Sequence, residues 1–493
     1  MNELKLPKLK KVDTDNPVKS NKKKILLLSD DIRMHSGIAT MSREFVMGTL
    51  KEYDWVQIGG AVKHPEHGKI VDMNQAVRSE TGIEDASLKI YPVSGYGNPM
   101  ILRSILDREK PDAIMHYTDP RFWAWLYQME RELRQKYPLM YYTIWDDLPY
   151  PRWNEPFYES CDSLQCISKQ THNIVKNVCR EEPKEDWQIT YIPHGINEND
   201  FYPITSVDPD YGEFKKFKSD LLQGFDAEFV VFYNNRNIRR KGPGDIVLAY
   251  KEMCDKLPRE KADKCLLLMH TAPIDENGTD LPAVVTELCK DKDGKHYEVL
   301  FSNSKLTPKQ MNYLYNIADV QINMASNEGF GLSGAEALMT ATPIVNNVTG
   351  GLQDHCGFEL KGKWLSPEDY SEIHSLHDRA KWKDNPDLTW GKWCKPIWPG
   401  SRSLQGSPMT PYIFDDRPRW EEAGQALFEW YEEGKEKRKE YGELGREYAM
   451  RKDVAFSAKE MCNRFIKDID TTLEKWTPRP RFETYTIGGT LND

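Results

Sequence analysis

Short apolar runs alternate with longer amphipathic stretches along most of the chain. The first clear run is Ile25-Leu26-Leu27-Leu28, closed by Ser29 and Asp30. A polar loop carrying Gly37 follows, then a helical pattern over 38–50. Strand, glycine-bearing loop and helix in that order open a βα unit. Further apolar runs at 55–58, 89–91, 113–116, 140–144, 163–167 and 190–192 predict strands, and helical patterns separate many of them. Such alternation predicts a parallel sheet with helices on both faces.

The pattern resets over 199–224, a polar stretch that reads as a linker with a helix in it. A second alternating series begins at 228–233 and continues at 265–269, 298–301, 320–324 and 343–346. The expectation is therefore two doubly wound α/β domains, an N-terminal one over 25–205 and a C-terminal one over 225–450. Residues 355–419 break the alternation. They hold Trp364, Trp382, Trp390, Trp393 and Trp398 among many Pro, Gly and Asp, and read as a long functional or interacting insertion. Charged amphipathic helix returns over 420–476.

Composition adds exclusions. No apolar run among the 493 residues approaches the ~20 that a membrane span needs. Residues 1–24 are Lys-rich, lack the apolar core of a secretory signal, and read as a flexible basic tail. A net charge of −10 argues against broad nonspecific nucleic-acid binding, while leaving room for a local basic groove. Nine cysteines without a CxxC pair fit a reduced, cytoplasmic chain with no zinc site and no disulfide framework.

The chemistry concentrates in 320–343. A strand ends near Ala325, a turn runs through Gly329 and Gly331, and a helix starts near Ser333 and stops before Pro343. A helix N-terminus offers backbone N–H groups and a positive dipole end, and glycines let a phosphate approach closely. Glu328 and Glu336 flank that anion site, where carboxylates suit sugar hydroxyls. Gly329-Phe330-Gly331-Leu332-Ser333-Gly334 also matches the dinucleotide fingerprint, with Asp354 about 20 residues on. Position argues against it: the next strand ends in Asn346 and Asn347, Asp354 falls beyond Gly350 and Gly351, and the motif sits late in its domain. A second constellation, Arg236 to Lys241, forms a cationic loop after a strand and suits a departing diphosphate.

Glu328 and Glu336, with Gly-Phe-Gly between them and Pro343 after, resemble the E-x7-E signature of family 4 glycosyltransferases. Pro193-His194-Gly195-Ile196-Asn197, with Phe201 and Pro203, resembles the family's P-x-G-[IV]-D…F-x-P segment, although Asn197 stands where Asp is usual. Arg236 and Lys241 keep the spacing of its G-R-x4-K-G segment, with Asn235 in place of Gly. The loop at Gly37 resembles the N-terminal glycine loop. The likeness runs from Ile25 to about Met461 apart from the Trp-rich stretch, and resembles in particular a branch found in tailed bacteriophages, which would place the chain in a host cytoplasm.

This resemblance implies a GT-B fold, two Rossmann-like domains facing a cleft, with a last helix over 451–476 crossing back to the N-terminal domain. It implies a nucleoside-diphosphate sugar donor, UDP-linked by preference and GDP- or ADP-linked as alternatives, and transfer with retention, with no metal or cofactor required. Arg236 and Lys241 would hold the diphosphate, Glu336 the ribose and Glu328 the transferred sugar. The backbone at Gly329, Phe330, Gly331, Leu332 and Ser333 would hold hydroxyls and phosphate. His116 and Asp119, at a strand end, compete to contact the donor sugar. His194 either lines the cleft or stabilises its turn. Trp145, where relatives carry His, together with Asp146, Arg152 and Trp153, falls on the acceptor side. Arg121, Phe122, Trp123, Trp125 and Tyr150 either stack on an acceptor or pack the core. The acceptor is a carbohydrate or a hydroxymethylated base in phage DNA. Alternatives within the fold are a sugar-nucleotide epimerase or a phosphorylase, and outside enzymology a non-catalytic nucleotide-sugar-binding protein. The oligomeric state is not legible.

Overall fold

The computed structural model describes residues 21–61, 63–180, 184–374, 376 and 378–480. Most of the basic tail expected over 1–24 lies outside the described residues, and its last two lysines belong to the first strand. That strand, β1 (Lys23–Asp30), is followed by β2 (Tyr53–Ala61), β3 (Val71–Asp72), β4 (Leu88–Ser94), β5 (Ala113–Tyr117), β6 (Leu139–Thr143), β7 (Ser163–Cys166) and β8 (Ile189–Tyr191). They form one sheet in the order β3-β4-β2-β1-β5-β6-β7-β8, parallel except where β3 meets β4. Ile25 to Leu28 are fully buried, as expected for a central parallel strand with helices on both faces.

The second half repeats the plan with β9 (Phe229–Asn234), β10 (Cys265–His270), β11 (Val299–Ser302), β12 (Val320–Asn323) and β13 (Ile344–Asn347). Beyond them lie β14 (Glu359–Leu360), β15 (Lys363–Trp364), β16 (Leu388–Thr389), β17 (Cys394–Ile397), β18 (Ser401–Ser407) and β19 (Thr410–Arg417). The order β11-β10-β9-β12-β13-β17 is parallel throughout. In each sheet the first strand, β1 or β9, is where the winding reverses, and crevices outside the carboxyl ends of such strands bind ligands.

The Trp-rich stretch corrects the expectation of a patternless insertion. β17 completes the second sheet, and β14 to β16 make a small antiparallel sheet of their own. β18 and β19 form a hairpin that joins the halves: Phe414 N–H donates to the Leu148 carbonyl and Asp416 N–H to the Ser326 carbonyl. Its tryptophans are largely core. Trp382, Trp393 and Trp398 are buried, and Trp390 is the exposed one among the five.

The helix Trp420–Ala449 packs against Pro243–Asp255 of the second half. The last helix, Ala458–Lys475, returns to the first sheet, where Phe465 meets Phe45 and Tyr142 at 4.8 and 4.9 Å. There Ser163, Gln165 and Thr190 donate to the buried Asp468 carboxylate. The two passages between halves run side by side: Ile196 N–H donates to Phe456 O at 2.8 Å, and Ala458 N–H to Ile196 O at 2.9 Å. Gly195 permits this, because a Cβ there would lie 2.6 Å from Ala458 Cα. Among the described residues no helix is long and apolar enough to cross a membrane. All nine cysteines are free and buried.

Candidate active site

The carboxyl ends of the two sheets face each other across a cleft of about 780 Å3. Its first wall comes from the loops after β1, β5 and β6, with Gly37, Tyr117, Asp119, Arg121, Trp145, Asp146 and Asp147, and from His194. Its second wall comes from the loops after β9 and β12, with Asn234, Arg236, Arg240, Lys241, Glu328 to Ser333 and Glu336. Thr410 and Ile413 of the hairpin close one side.

The helix Leu332–Met339 begins at Gly331, whose φ of +89° favours glycine. No side chain caps this start, so its amide dipoles point at the cleft. The turn before it is closely packed, so a side chain there would displace its neighbours. A Cβ on Gly331 would lie 2.5 Å from Leu352, and one on Gly329 would lie 2.9 Å from Ile167 of the first half. Glu336, in the second turn, receives the Tyr315 hydroxyl at 2.5 Å, and Asn234 Nδ2 lies 3.5 Å away. Burial raises its carboxyl to about 7. Ser333 Oγ sits 3.4 Å from the side-chain amides of Asn235 and Gln321.

Lys241 is 6% exposed and pairs with Glu328 through Oε2. Burial, reinforced by Arg240, pushes its ammonium well below the usual lysine range. Arg240, which spacing did not single out, donates to the Asn327 carbonyl at 2.8 Å and lies 3.9 Å from Glu328. Arg236 lines the cleft at its rim, its side chain 65% exposed and its Nε bonded to Asp275 at 3.0 Å.

On the opposite wall, Asp119 caps the turn Pro120–Trp123 and pairs with Arg121. The His194 ring nitrogens lie 2.7 Å from the Tyr142 hydroxyl and 3.2 Å from the Tyr117 hydroxyl, and its edge meets Phe330 across the cleft at 5.3 Å. Burial lowers its pKa to about 3, so it is neutral near pH 7. His194 thus lines the cleft and is held there by tyrosines of β5 and β6. Asp146 and Asp147 are pushed up by burial, Asp147 further by the neighbouring Asp146. Trp145 donates from Nε1 to the Asp147 carbonyl, with the Arg121 guanidinium 5.7 Å over its ring.

Three expected site residues lie elsewhere. His116 is fully buried behind the wall, with Nδ1 2.7 Å from the Tyr127 hydroxyl and its ring against Tyr141. Side chains alternate along a strand, and it is the next residue, Tyr117, that faces the cleft. Of the competing pair, Asp119 alone reaches it. Arg152 donates to the carbonyls of Asn177 and Val178, and Trp153 packs edge-on against Tyr412 at 4.4 Å. The Arg152 side chain braces the end of the helix Lys169–Val178, Trp153 braces the hairpin, and neither lines the cleft. Asp354, weighed as a ribose acid, accepts from Lys169 N–H and the Tyr191 hydroxyl between the halves.

Sequence reasoning missed Tyr315, Asp275 and the hairpin residues. Tyr315 and Asp275 carry no motif, and the hairpin fell in a stretch without readable period. Asn234 was within reach, as the strand end directly before the cationic loop. Among the described residues no three His, Cys, Asp or Glu side chains are grouped to hold a metal ion.

No family model matches the chain. It is 25% identical over 226 residues to an uncharacterized glycosyltransferase of Methanocaldococcus jannaschii, covering 45% of this chain and 51% of that one. It is 28% identical over 162 residues to the alpha-monoglucosyldiacylglycerol synthase of Acholeplasma laidlawii, covering 33% and 36%. The chain therefore spans about half the length of the first relative and about a third of the second. Among solved structures, Anabaena HepE in complex with UDP and glucose superposes with a TM-score of 0.59 at 12% identity, over 91% of this chain and 100% of that one. Two parallel sheets opposed across a cleft, in a likeness covering nearly the whole chain, give this protein the GT-B fold.

Proposed function

We propose that the chain is a retaining glycosyltransferase that moves a sugar from a nucleoside diphosphate, UDP by preference, to an acceptor hydroxyl. The observation that carries this reading is the Lys241–Glu328 pair beside the uncapped helix start, with Glu336 one helical turn further in. Lys241, Arg236 and the helix amides together offset the charge that builds on a departing diphosphate. Glu336 accepts the ribose hydroxyls, and Glu328 accepts from the transferred sugar while holding Lys241 in place. Asp119 and His194 face the same space from the other wall. The departing phosphate takes the acceptor's proton on the face it leaves, which retains the configuration and leaves the protein the work of positioning and charge stabilisation. The UDP and glucose bound to HepE support the choice of donor.

The test is nucleotide release from UDP-, GDP- and ADP-sugars, with and without saccharide acceptors. One donor is expected to turn over, with the product anomer matching the donor's. Tight nucleotide binding without turnover of any donor would instead favour a non-catalytic binding protein, and an inverted product would end the claim of retention. Because Lys241 and Arg236 supply the positive charge, chelation is expected to leave release unchanged; a loss of rate on adding EDTA contradicts that assignment.

A further inference from the structure

We infer that the stacked rings of Tyr96 and Phe122, beside Asp119 at the rim of the first wall, form the platform on which the acceptor rests, and that this acceptor is a saccharide. The inference rests on the glycosyltransferase reading and names the substrate that the cleft's donor half leaves open.

Tyr96 and Phe122 come from the loops after β4 and β5, at the carboxyl edge of the sheet that builds the first wall. Their centroids are 5.0 Å apart and their planes 15° from parallel. Phe122 follows Arg121, which lines the cleft, yet it is 54% exposed. The pair is backed firmly. Trp123, fully buried, meets Tyr96 edge-on at 5.6 Å. Gly60 of β2 lets the Tyr96 loop sit close, since a Cβ there would lie 3.0 Å from the Gly95 carbonyl and 3.4 Å from the Tyr96 ring. Two near-parallel rings held on this backing, beside residues that line the cleft, offer a flat apolar face to a ligand entering it.

The surroundings select the ligand. The Tyr96 hydroxyl is raised first by burial, then by the carboxylates of Asp30 and Asp119. A sugar ring has an apolar C–H face for the aromatic surface and a rim of hydroxyls that donate to carboxylates. A nucleic acid also offers flat bases, which stack well. Its phosphates, however, meet Asp30 and the already paired Asp119–Arg121 here, in a chain of net charge −10. Charge complementarity therefore favours a neutral saccharide.

The experiment is binding of UDP-saturated protein to a printed array of neutral glycans, with a single-stranded oligonucleotide as a parallel probe. Wild type is compared with Phe122→Ala, Phe122→Trp and Trp420→Ala, the last an exposed aromatic in the other half. Wild type is expected to bind a subset of glycans, Phe122→Ala to bind them about tenfold or more weakly, and Phe122→Trp and Trp420→Ala to retain binding. The proposal is overturned if Phe122→Ala binds the same glycans within about twofold of wild type. It is equally overturned if wild type binds no glycan, or binds the oligonucleotide in a Phe122-dependent way. UDP affinity on the same samples separates the two levels: wild type that fails to bind UDP contradicts the glycosyltransferase reading whatever the array shows.

Discussion

Glu336 sits where a carboxylate is costly to ionise, and its raised pKa of about 7 has a consequence for ligand binding. To accept two ribose hydroxyls it must be deprotonated, so UDP affinity is expected to fall as pH drops through about 7. The sign for stability is opposite. Without ligand, a raised carboxyl contributes stability below its ordinary range and loses it as pH rises through the folded value. Titration of UDP at about pH 8 and about pH 6 checks the first claim, and equal affinities would contradict it. The two cations of the second wall are not equivalent. Lys241 is buried against Glu328, while Arg236 is mostly exposed and engaged with Asp275. Lys241→Ala is expected to slow nucleotide release by about 10²–10³, and Arg236→Ala by distinctly less. A larger loss at Arg236 would show that its guanidinium leaves Asp275 and carries the phosphate. His116 shows what residue-level reading misses. A strand end locates the wall, but a shift of one position decides which side chain faces it, and Tyr117 took that place.

At the scale of elements, the strands of both sheets other than β3 and β17, and the glycine turn before Leu332–Met339, were legible, because apolar runs, turn glycines and strand-helix alternation are local signals. β17 was not. Its four residues include Pro396 and two half-buried positions, too short and irregular to show a period, and only pairing with β13 makes it a strand. The last helix, expected over 451–476, starts at Ala458 after the chain turns back over 450–457, and the helical stretch before it is interrupted at Gly434, whose φ is +75°. Gly195 belonged to a recognised segment without an evident reason for its glycine. The reason is the neighbouring passage of the chain, which no local pattern encodes. Gly195→Ala places a methyl against Ala458, Ser457 and Met461. It is expected to lower stability by roughly 1–3 kcal/mol, measured by denaturant unfolding, and a neutral effect would show that the two passages separate freely.

The whole molecule has two sheets but shares a core between them. One buried cluster runs from Ile25 and Phe45 through Phe232 and Phe330 to Phe456 and Phe465, so apolar residues of both halves pack together. The hairpin of β18 and β19 and the returning helix add polar ties across the same boundary. Thermal unfolding is therefore expected as one cooperative transition, with calorimetric and van't Hoff enthalpies in agreement. Two resolved transitions would mean that each half folds on its own. Most of the cleft's second wall could be foreseen, since its residues follow two strand ends with local motifs. The opposite wall assembles from loops after β1, β5 and β6 that are distant in sequence, so Gly37, Asp119, Trp145, Asp146 and His194 were named one by one while Tyr117 was not.

The central claim is that the helix start at Gly331, with Glu336 behind it, holds the nucleotide. Isothermal titration of UDP into wild type and Glu336→Ala tests it most directly. Wild type is expected to bind UDP, and the variant to bind about 10- to 100-fold more weakly, the loss of hydrogen bonds to a charged group. A folded variant with unchanged UDP affinity would contradict the placement of the donor in this cleft.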